Sequence, residues 1–405
     1  MYLHHLVLVN FRNYTRLELT LPARIHLFQG ENAQGKTNLL EAIYCLATTK
    51  SPLAASDRQL ISWSADQEVL PFTSIAGDYV RSLEEHTLEI TIVKEPSADP
   101  DRSQPTIRKQ VRVDGIPRRL IDCVGKLNVV LFLPEDVGLV AGSPGGRRHF
   151  LDISLCQLSA TYCRRLTRYL AVLAQRNALL RQIRDHQAQL AELEFWTGQV
   201  VSLGSYVLVM RTWFTSALTH YLDELLPALT SQQEKLELEY LNSVFERASA
   251  PAPTMNHSLS MDSADQASIL ALFEEQFRRT LDMNQREEVL RATTIAGPHR
   301  DDLRFMINGF DAAYYGSRGQ QRTITLVLKL AEVKLMQEQT GESPVLLLDD
   351  IFSELDQRRA QLLLSQLVGV EQVFITTTDL NACDPSLRSS AQVWHVAGGA
   401  VKASL

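Results

Sequence analysis

Apolar positions along the chain switch between two periods, and each switch marks an element. Residues 25–28 (Ile-His-Leu-Phe) read as a short buried strand, and residues 38–44 place apolar side chains at 39, 40, 43 and 44, the spacing of a helix. Much later, residues 344–348 form an apolar run ending in Asp349 and Asp350, which suits a buried strand. Leu362, Leu363, Leu364 and Leu367 then carry a helix, and residues 372–376 a further strand. Strand, helix and strand in that order predict a mostly parallel sheet. Between these ends, Leu166, Leu173 and Leu180 recur every seven residues, with Leu170 and Ile183 beside them, in a run from about 159 to 229. Fewer than ~4 heptads are sustained, which favours a pair of packed core helices over a dimerising coiled coil. Val113-Asp114-Gly115 reads as a hairpin turn, and the polar stretches Lys94 to Gln104 and Ala248 to Ala267 read as loops, the second as a flexible insertion. There is no internal repeat.

Residues 30–37, Gly-Glu-Asn-Ala-Gln-Gly-Lys-Thr, fit the pattern G-x-x-x-x-G-K-[ST] without a mismatch, between the first predicted strand and the first predicted helix. Gly30 and Gly35 let the backbone take tight, positive-φ conformations, so that the N–H groups of a loop through Glu31, Asn32, Ala33 and Gln34 can point inward at phosphates. The helix N-terminus adds partial positive charge at the same place. Lys36 is set to reach the β- and γ-phosphates of a nucleoside triphosphate, and the Thr37 hydroxyl to ligate Mg²⁺.

The aspartates supply the other half of such a site. At the C-terminal edge of a buried strand, Asp349 would hold Mg²⁺ through water and Asp350 would orient or deprotonate the attacking water. Lys36 and Asp350 are therefore the candidate catalytic residues, with ATP and Mg²⁺ the expected cofactors. A third stretch, Ser317-Arg318-Gly319-Gln320-Gln321-Arg322, forms a glycine-containing turn before a helix expected over residues 323–332, a second anion-seeking helix N-terminus. Alone it is also a well-capped helix start; in this order with the other two motifs it points to nucleotide.

In these motifs the chain resembles the ABC-type ATPase heads of the SMC superfamily and, among them, the RecF family of bacterial recombination mediators. The matching segments run along nearly the whole length. They are Asn10-Phe11-Arg12-Asn13-Tyr14, the phosphate-binding loop, Phe132-Leu133-Pro134-Glu135-Asp136, residues 142–152 (Gly-Ser-Pro-Gly-Gly-Arg-Arg-His-Phe-Leu-Asp), Gly297-Pro298-His299-Arg300-Asp301-Asp302, Ser317 to Arg322 and the aspartate pair. The resemblance implies an α/β fold, an SMC-like ABC-type P-loop ATPase head with an inserted, mainly helical second lobe. The head would comprise residues 1–152 and 293–405, and the second lobe residues 153–292, with the flexible insertion near 248–267. The resemblance further implies that Ser317, Gly319 and Gln320 contact the γ-phosphate held by a second subunit, so that ATP joins a two-fold homodimer. Asp356 would lie at the same interface, and Arg12 and Asn13 near the nucleotide. DNA, RecR and RecO are the implied partners, in loading recombinase at single-stranded gaps, with a link to the SOS response. Asp350 stands where ABC ATPases commonly carry glutamate, and Thr378 where they carry histidine, and these shorter or missing groups predict slow turnover. Pro52-Leu53-Ala54-Ala55 departs from the basic pattern that follows Lys50-Ser51 in the RecF family.

Spacing and composition narrow the reading. Thr37 and Ser317 lie 280 residues apart, too far for the ATPase subunit of a transporter and much too close for a long coiled-coil arm. With 405 residues, 45% apolar and 21% charged, the chain suits a soluble protein of two or three domains. No apolar stretch approaches the ~20 residues that cross a bilayer, and Met1 to His5 lack a signal pattern, so a cytoplasmic protein with no membrane partner is expected. Five cysteines (45, 123, 156, 163 and 383) without C-x-x-C spacing suit reduced structural thiols. His299 alone among the histidines sits in a charged cluster; without a second histidine or cysteine at ligand spacing, a structural or interface role is favoured over catalysis. Beyond Asp349-Asp350 no acidic cluster supports a nuclease.

A net charge of −7 and a pI near 5.8 mean that DNA contact must use local patches. The candidates are Arg108-Lys109 with Arg112, Arg118-Arg119, Arg147-Arg148, and Arg164-Arg165 with Arg168; for any one of them a solvated face is the favoured reading, and several on one lobe would change that. The expected function is a slow DNA-dependent ATPase that acts as a clamp in DNA replication, recombinational gap repair and SOS induction. It would dimerise on ATP, engage single-stranded DNA and duplex junctions, and release on hydrolysis. The rival is a nucleotide-gated regulatory or assembly protein that acts on protein partners without touching DNA, which the acidic pI favours.

Overall fold

The computed structural model describes residues 1–95, 105–230, 234–249, 251, 253, 255 and 264–404. The chain divides into one unit of residues 1–136 with 332–405 and a second of residues 137–331. These divisions replace those expected at 152/153 and 292/293, because the helix Pro144–Leu158 and the strand Asp302–Ile307 pack on one another within the second unit.

The first unit contains two six-stranded sheets. One is antiparallel, in the order Tyr14–Thr20, Tyr2–Phe11, Phe72–Arg81, Glu84–Glu95, Thr106–Val113, Ile116–Arg118. Its last hairpin turns at Asp114 (φ 51°) and Gly115 (φ 74°), both in the left-handed region that a two-residue type I′ turn demands. The other sheet runs Ala400–Ala403, Gln392–Ala397, Ile25–Gln29, Val373–Thr377, Val345–Asp349, Val129–Phe132, parallel except for its first pair. Val345–Asp349 and Val373–Thr377 are buried along their whole length, which is why they read as strands without alternation. The helix Lys36–Thr48 touches strands of both sheets and is buried from Leu39 to Thr48. Enclosure on all sides explains why the apolar residues 42, 45, 46 and 47 join the stripe at 39, 40, 43 and 44.

In the second unit the helices Pro144–Leu158, Ala160–Arg184, Leu193–Thr230 and Ala264–Arg291 pack on one another. Leu166, Leu173 and Leu180 are buried, whereas Leu170 is 48% exposed. A three-stranded antiparallel sheet, in the order Phe310–Asp311, Asp302–Ile307, Leu236–Leu241, completes the unit and is absent from the sequence-based expectation. Most of both predicted loops lies outside the described residues; Lys94 and Glu95 end a strand, and residues 264–267 begin a helix rather than belonging to the insertion. All five cysteines are buried, and none of them forms a disulfide. Among the described residues no helix is long and apolar enough to cross a membrane.

Buried charge in the second unit is neutralised by close partners, as burial requires. Arg211 donates to Asp152 Oδ1 (2.7 Å) and to the Pro298 carbonyl (2.6 Å), and the Tyr162 hydroxyl donates to the same Asp152 oxygen (2.6 Å). Asp301 accepts from the Ser243 amide (2.9 Å), the Ser243 hydroxyl (2.6 Å) and the Tyr240 hydroxyl (2.5 Å). Arg147 forks onto Asp302 with two bonds of 2.7 Å. Residues 142–152 and 297–302, the most distinctive segments of the sequence, thus act as joints of this unit.

Two histidines are held neutral. His26 accepts from Trp394 Nε1 at Nδ1 (3.1 Å) and donates from Nε2 to the Pro22 carbonyl (2.8 Å). His299 accepts from the Tyr169 hydroxyl at Nδ1 (2.7 Å) and donates from Nε2 to the Thr294 carbonyl (3.0 Å). Burial pushes both from 6.5 down to about 4, against the pull of the carbonyl bonds. In the unfolded chain both bind protons near 6.5, so the stability they contribute is present above that pH and is lost as pH falls towards 4. Urea midpoints should therefore drop between pH 7 and pH 4.5 with an uptake approaching about two protons on unfolding, reduced by about one in His299→Gln.

Candidate nucleotide site

Residues 30–37 leave the strand Ile25–Gln29 and enter the helix Lys36–Thr48, and neighbouring segments hold their shape. A Cβ on Gly30 would lie 2.2 Å from the Val396 carbonyl oxygen, while its N–H donates to the Thr377 carbonyl (3.3 Å). Gly30 is thus required for close approach; positive φ falls instead at Ala33 (63°) and Gly35 (115°). Gly35 is the N-cap and offers no side chain, so the first amides of the helix stay open to an anion. The Gln34 carbonyl accepts from Asn13 Nδ2 (2.9 Å) and the Gly399 amide (3.2 Å), and Gln34 Oε1 accepts from the Gly398 amide (2.7 Å). The Tyr14 hydroxyl donates to the Gly35 carbonyl (2.9 Å). Sequence reasoning missed Gly398-Gly399: a Gly-Gly pair signals a hairpin, but nothing local ties it to a loop 364 residues away.

Lys36 folds back over the loop, its Nζ donating to the carbonyls of Gly30 (2.8 Å) and Glu31 (2.7 Å). Burial pushes the ammonium below the ordinary lysine range, with Asp350 and Asp349 pulling it back up. The Thr37 hydroxyl lies 3.0 and 2.8 Å from the two oxygens of Asp349, and the Thr376 hydroxyl 2.6 Å from one of them. Burial pushes the Asp349 carboxyl above its ordinary range; the two threonine bonds oppose the rise, and the charges of Asp350 and Glu135 add to it. Asp350 follows in the left-handed region (φ 46°), uncommon for a residue with a Cβ. Its N–H donates to Thr376 Oγ1 (2.9 Å), and its carboxylate accepts from Ser353 Oγ (2.9 Å). A cavity of about 150 Å³ is lined by Asn32, Ala33, Gly35, Lys36, Thr37, Asn38, Asp350 and Thr378.

Arg12 is not among the lining residues. Its guanidinium forks onto Glu41 (2.8 and 2.6 Å) and donates to the Gln59 carbonyl (3.0 Å), and Glu41 is only 1% exposed. Arg12 therefore joins the turn between the first two strands to the helix. Asn13 supports the loop through Gln34 and accepts from Asn38 Nδ2 (2.8 Å).

The helix Arg318–Thr340, whose first part belongs to the second unit, starts five residues before the expected position, so Gly319 and Gln320 are helical. Ser317 is its cap: the Gln320 amide donates to Ser317 Oγ (3.2 Å) and the Ser317 amide to Gln320 Oε1 (2.9 Å), the reciprocal pair of a capping box. Gln320 Nε2 also donates to Glu234 (2.7 Å). Ser317 is exposed and follows the exposed Tyr314 and Tyr315, which sequence reasoning passed over. Asp356 caps the helix Gln357–Leu367 and pairs with Arg359 (2.6 Å).

The basic candidates separate by strand alternation. Arg108 and Arg112 point outward, whereas Lys109 faces the other way, 9% exposed and bonded to Asp57 (2.8 Å) and the Thr49 carbonyl (2.6 Å). Lys109 and the buried Arg147 are thereby withdrawn as nucleic-acid contacts, and Arg148 donates to the Asp301 carbonyl (2.8 Å). Arg119 pairs with Asp122 (2.8 Å) yet stays 72% exposed, and Arg118 is exposed.

A parallel sheet that brings an open-amide loop and a two-aspartate strand end together defines a P-loop nucleotide-binding head of ABC type. The chain belongs to the RecF/RecN/SMC N terminal domain family, whose model matches residues 2–397. It is 40% identical to the DNA replication and repair protein RecF of Chloroflexus aggregans, over 98% of this chain and 99% of that one. The protein of the same name from Enterococcus faecalis is 37% identical, over 99% of each chain. A solved structure of the recombination mediator protein RecF-ATP in the RecFOR pathway aligns with a TM-score of 0.82 at 28% identity, covering 100% of this chain and 98% of that one.

Two substitutions test the geometry. Gly30→Ala should destabilise the first unit by about 1–3 kcal/mol through overlap with Val396, and weaken ATP binding in a fluorescent-nucleotide titration. Asp349 titrates higher folded than unfolded, so its charge opposes folding once pH exceeds the folded value. Asp349→Asn should accordingly raise the nucleotide-free melting temperature at pH 7.5, with the gain shrinking towards pH 4.

Proposed function

We propose that this chain is a slow, DNA-dependent ATPase acting as an ATP-gated DNA clamp in replication and recombinational repair. The observation that carries the reading is the meeting of Lys36, Thr37 and Asp350 on one cavity, with Asp349 bonded to Thr37 behind it. The open amides at the head of the helix Lys36–Thr48 and the Lys36 ammonium would bind the triphosphate, the lysine exchanging its loop carbonyls for phosphate oxygens. A hydroxyl and a carboxylate within 3.0 Å are hard oxygen donors suited to Mg²⁺, which keeps few protein ligands and takes the rest from phosphates and water. Mg²⁺ bound there would neutralise charge on the phosphates. Asp350 would orient the attacking water; a carboxylate on a shorter arm than glutamate, with Thr378 in place of a histidine, fits slow turnover.

In this reading the helix N-terminus at Ser317, with Gly319 and Gln320, meets the γ-phosphate held by a second copy, and Asp356 lies at the same junction. ATP then makes contacts in the dimer that it lacks in the monomer, and hydrolysis removes them. DNA gaps and junctions, RecR and RecO would be the partners of this cytoplasmic clamp, with SOS induction downstream.

Light-scattering mass in Mg-ATP against Mg-ADP tests the reading. The wild type should dimerise with ATP alone, and Ser317→Arg should stay monomeric. Lys36→Ala should weaken ATP binding by ~10–100-fold through loss of a charged hydrogen-bond donor. Asp350→Asn should bind ATP normally, hydrolyse it ~10²–10⁴-fold more slowly and hold the dimer longer. Dimers of Asp350→Asn that dissociate as fast as those of the wild type would remove Asp350 from the water-positioning role.

A further inference from the structure

The helix Ala160–Arg184 carries six arginines and no acidic residue, in a chain whose net charge is −7. Arg176 is buried on Glu288 (2.7 Å), and Arg184 pairs with the adjoining Asp185 (2.9 Å). At the other end of the helix, Arg164, Arg165 and Arg168 line a cavity of about 300 Å³ together with Gln199, Ser202 and Leu203 of the helix Leu193–Thr230. Neither Arg165 nor Arg168 forms an ion pair with any described residue. The Arg165 guanidinium lies 4.4 Å from the centre of the Tyr206 ring, a stacking contact that restrains it.

We infer that this cavity is a docking point for backbone phosphates of DNA, an inference that rests on the clamp reading above. Guanidinium groups only donate, the Gln199 amide and Ser202 hydroxyl can donate beside them, and no carboxylate lines the cavity. A phosphodiester, with two anionic oxygens and no donor, matches that set and accepts the arginine fork. Arg164 and Arg168 are one turn apart, about 6 Å along the axis, so the helix presents cations in series, which rewards a repeating polyanion over a single acidic group. Leu203 is the one apolar lining residue and is itself buried, so the cavity lacks the exposed aromatic or aliphatic anchor that usually dominates a protein partner's binding energy. The site therefore supplies sequence-independent phosphate contact.

The test is fluorescence anisotropy of a gapped duplex with the full chain in Mg-ATP, comparing wild type with the Arg165→Gln/Arg168→Gln double variant. Over about 50–200 mM salt the variant should bind on the order of tenfold more weakly, with the slope of log affinity against log salt smaller in magnitude by about 2. ATP hydrolysis without DNA and the melting temperature should be unchanged. Arg165→Lys/Arg168→Lys, which keeps the charges but loses the fork, should recover the slope and part of the affinity. Wild-type affinity and slope in the glutamine variant would overturn this inference while leaving the clamp reading intact. Intact DNA binding with reduced binding of an oligoglutamate probe would reassign the cavity to an acidic protein segment. A wild type that binds no DNA in ATP would overturn the clamp reading itself, and this inference with it.

Discussion

A site built from open backbone amides cannot hold its own shape, because the hydrogen bonds that would rigidify the loop are the ones kept for the ligand. Here residues 30–37 are held by partners drawn from both ends of the chain: Asn13 and Tyr14 on one side, Thr377, Val396, Gly398 and Gly399 on the other. That requirement sets the topology of the first unit. The strand leading into the loop is paired on both edges by C-terminal strands, Val373–Thr377 and Gln392–Ala397. Residues 137–331 are accommodated between Val129–Phe132 and Val345–Asp349, strands that are neighbours in one sheet, so a long insertion leaves the loop's supports in place.

Buried charge marks where the chain is stabilised and where it is ready to react. Arg12 with Glu41, Arg147 with Asp302, Arg176 with Glu288 and Arg211 with Asp152 are matched in sign and geometry, and they act as joints. Lys36 and Asp349 differ. The lysine is spent on neutral carbonyls and the aspartate on neutral hydroxyls, and burial shifts each towards its uncharged form. Charges held at a cost beside a cavity are what a triphosphate and its cation would relieve, and such tension is characteristic of functional sites.

The same contrast corrects the reading of the motifs. Residues 142–152 and 297–302 are rich in Arg, His and Asp; the sequence offers Arg147 and Arg148 as DNA contacts and favours a structural or interface role for His299. Their side chains are satisfied inside the second unit, Arg147 by Asp302, Asp152 by Arg211 and Tyr162, and Asp301 by Ser243 and Tyr240, and His299 is a neutral link between Tyr169 and Thr294. Arg12, expected beside the nucleotide, and Lys109, expected on DNA, are occupied by Glu41 and Asp57 for a related reason: in each pair one charge is buried, the Glu41 carboxylate in the first and the Lys109 ammonium in the second, and a buried charge requires an opposite charge beside it.

By itself the sequence determined what depends on neighbours along the chain: the strand–loop–helix around Lys36, the aspartates at the end of an apolar run, the Asp114-Gly115 turn and the cap at Ser317. Each is written in period, in backbone permissiveness or in a side chain that reaches three residues on, and local steric and hydrogen-bonding rules decode it. The tertiary structure alone decided that Gly30 faces Val396, that Gly398 and Gly399 close on Gln34, that Lys109 points inward and that Arg165 and Arg168 share a cavity with Gln199 and Ser202. Those outcomes depend on which distant segments pack together and on which face of a strand or helix is then covered, and no short-range pattern carries that information.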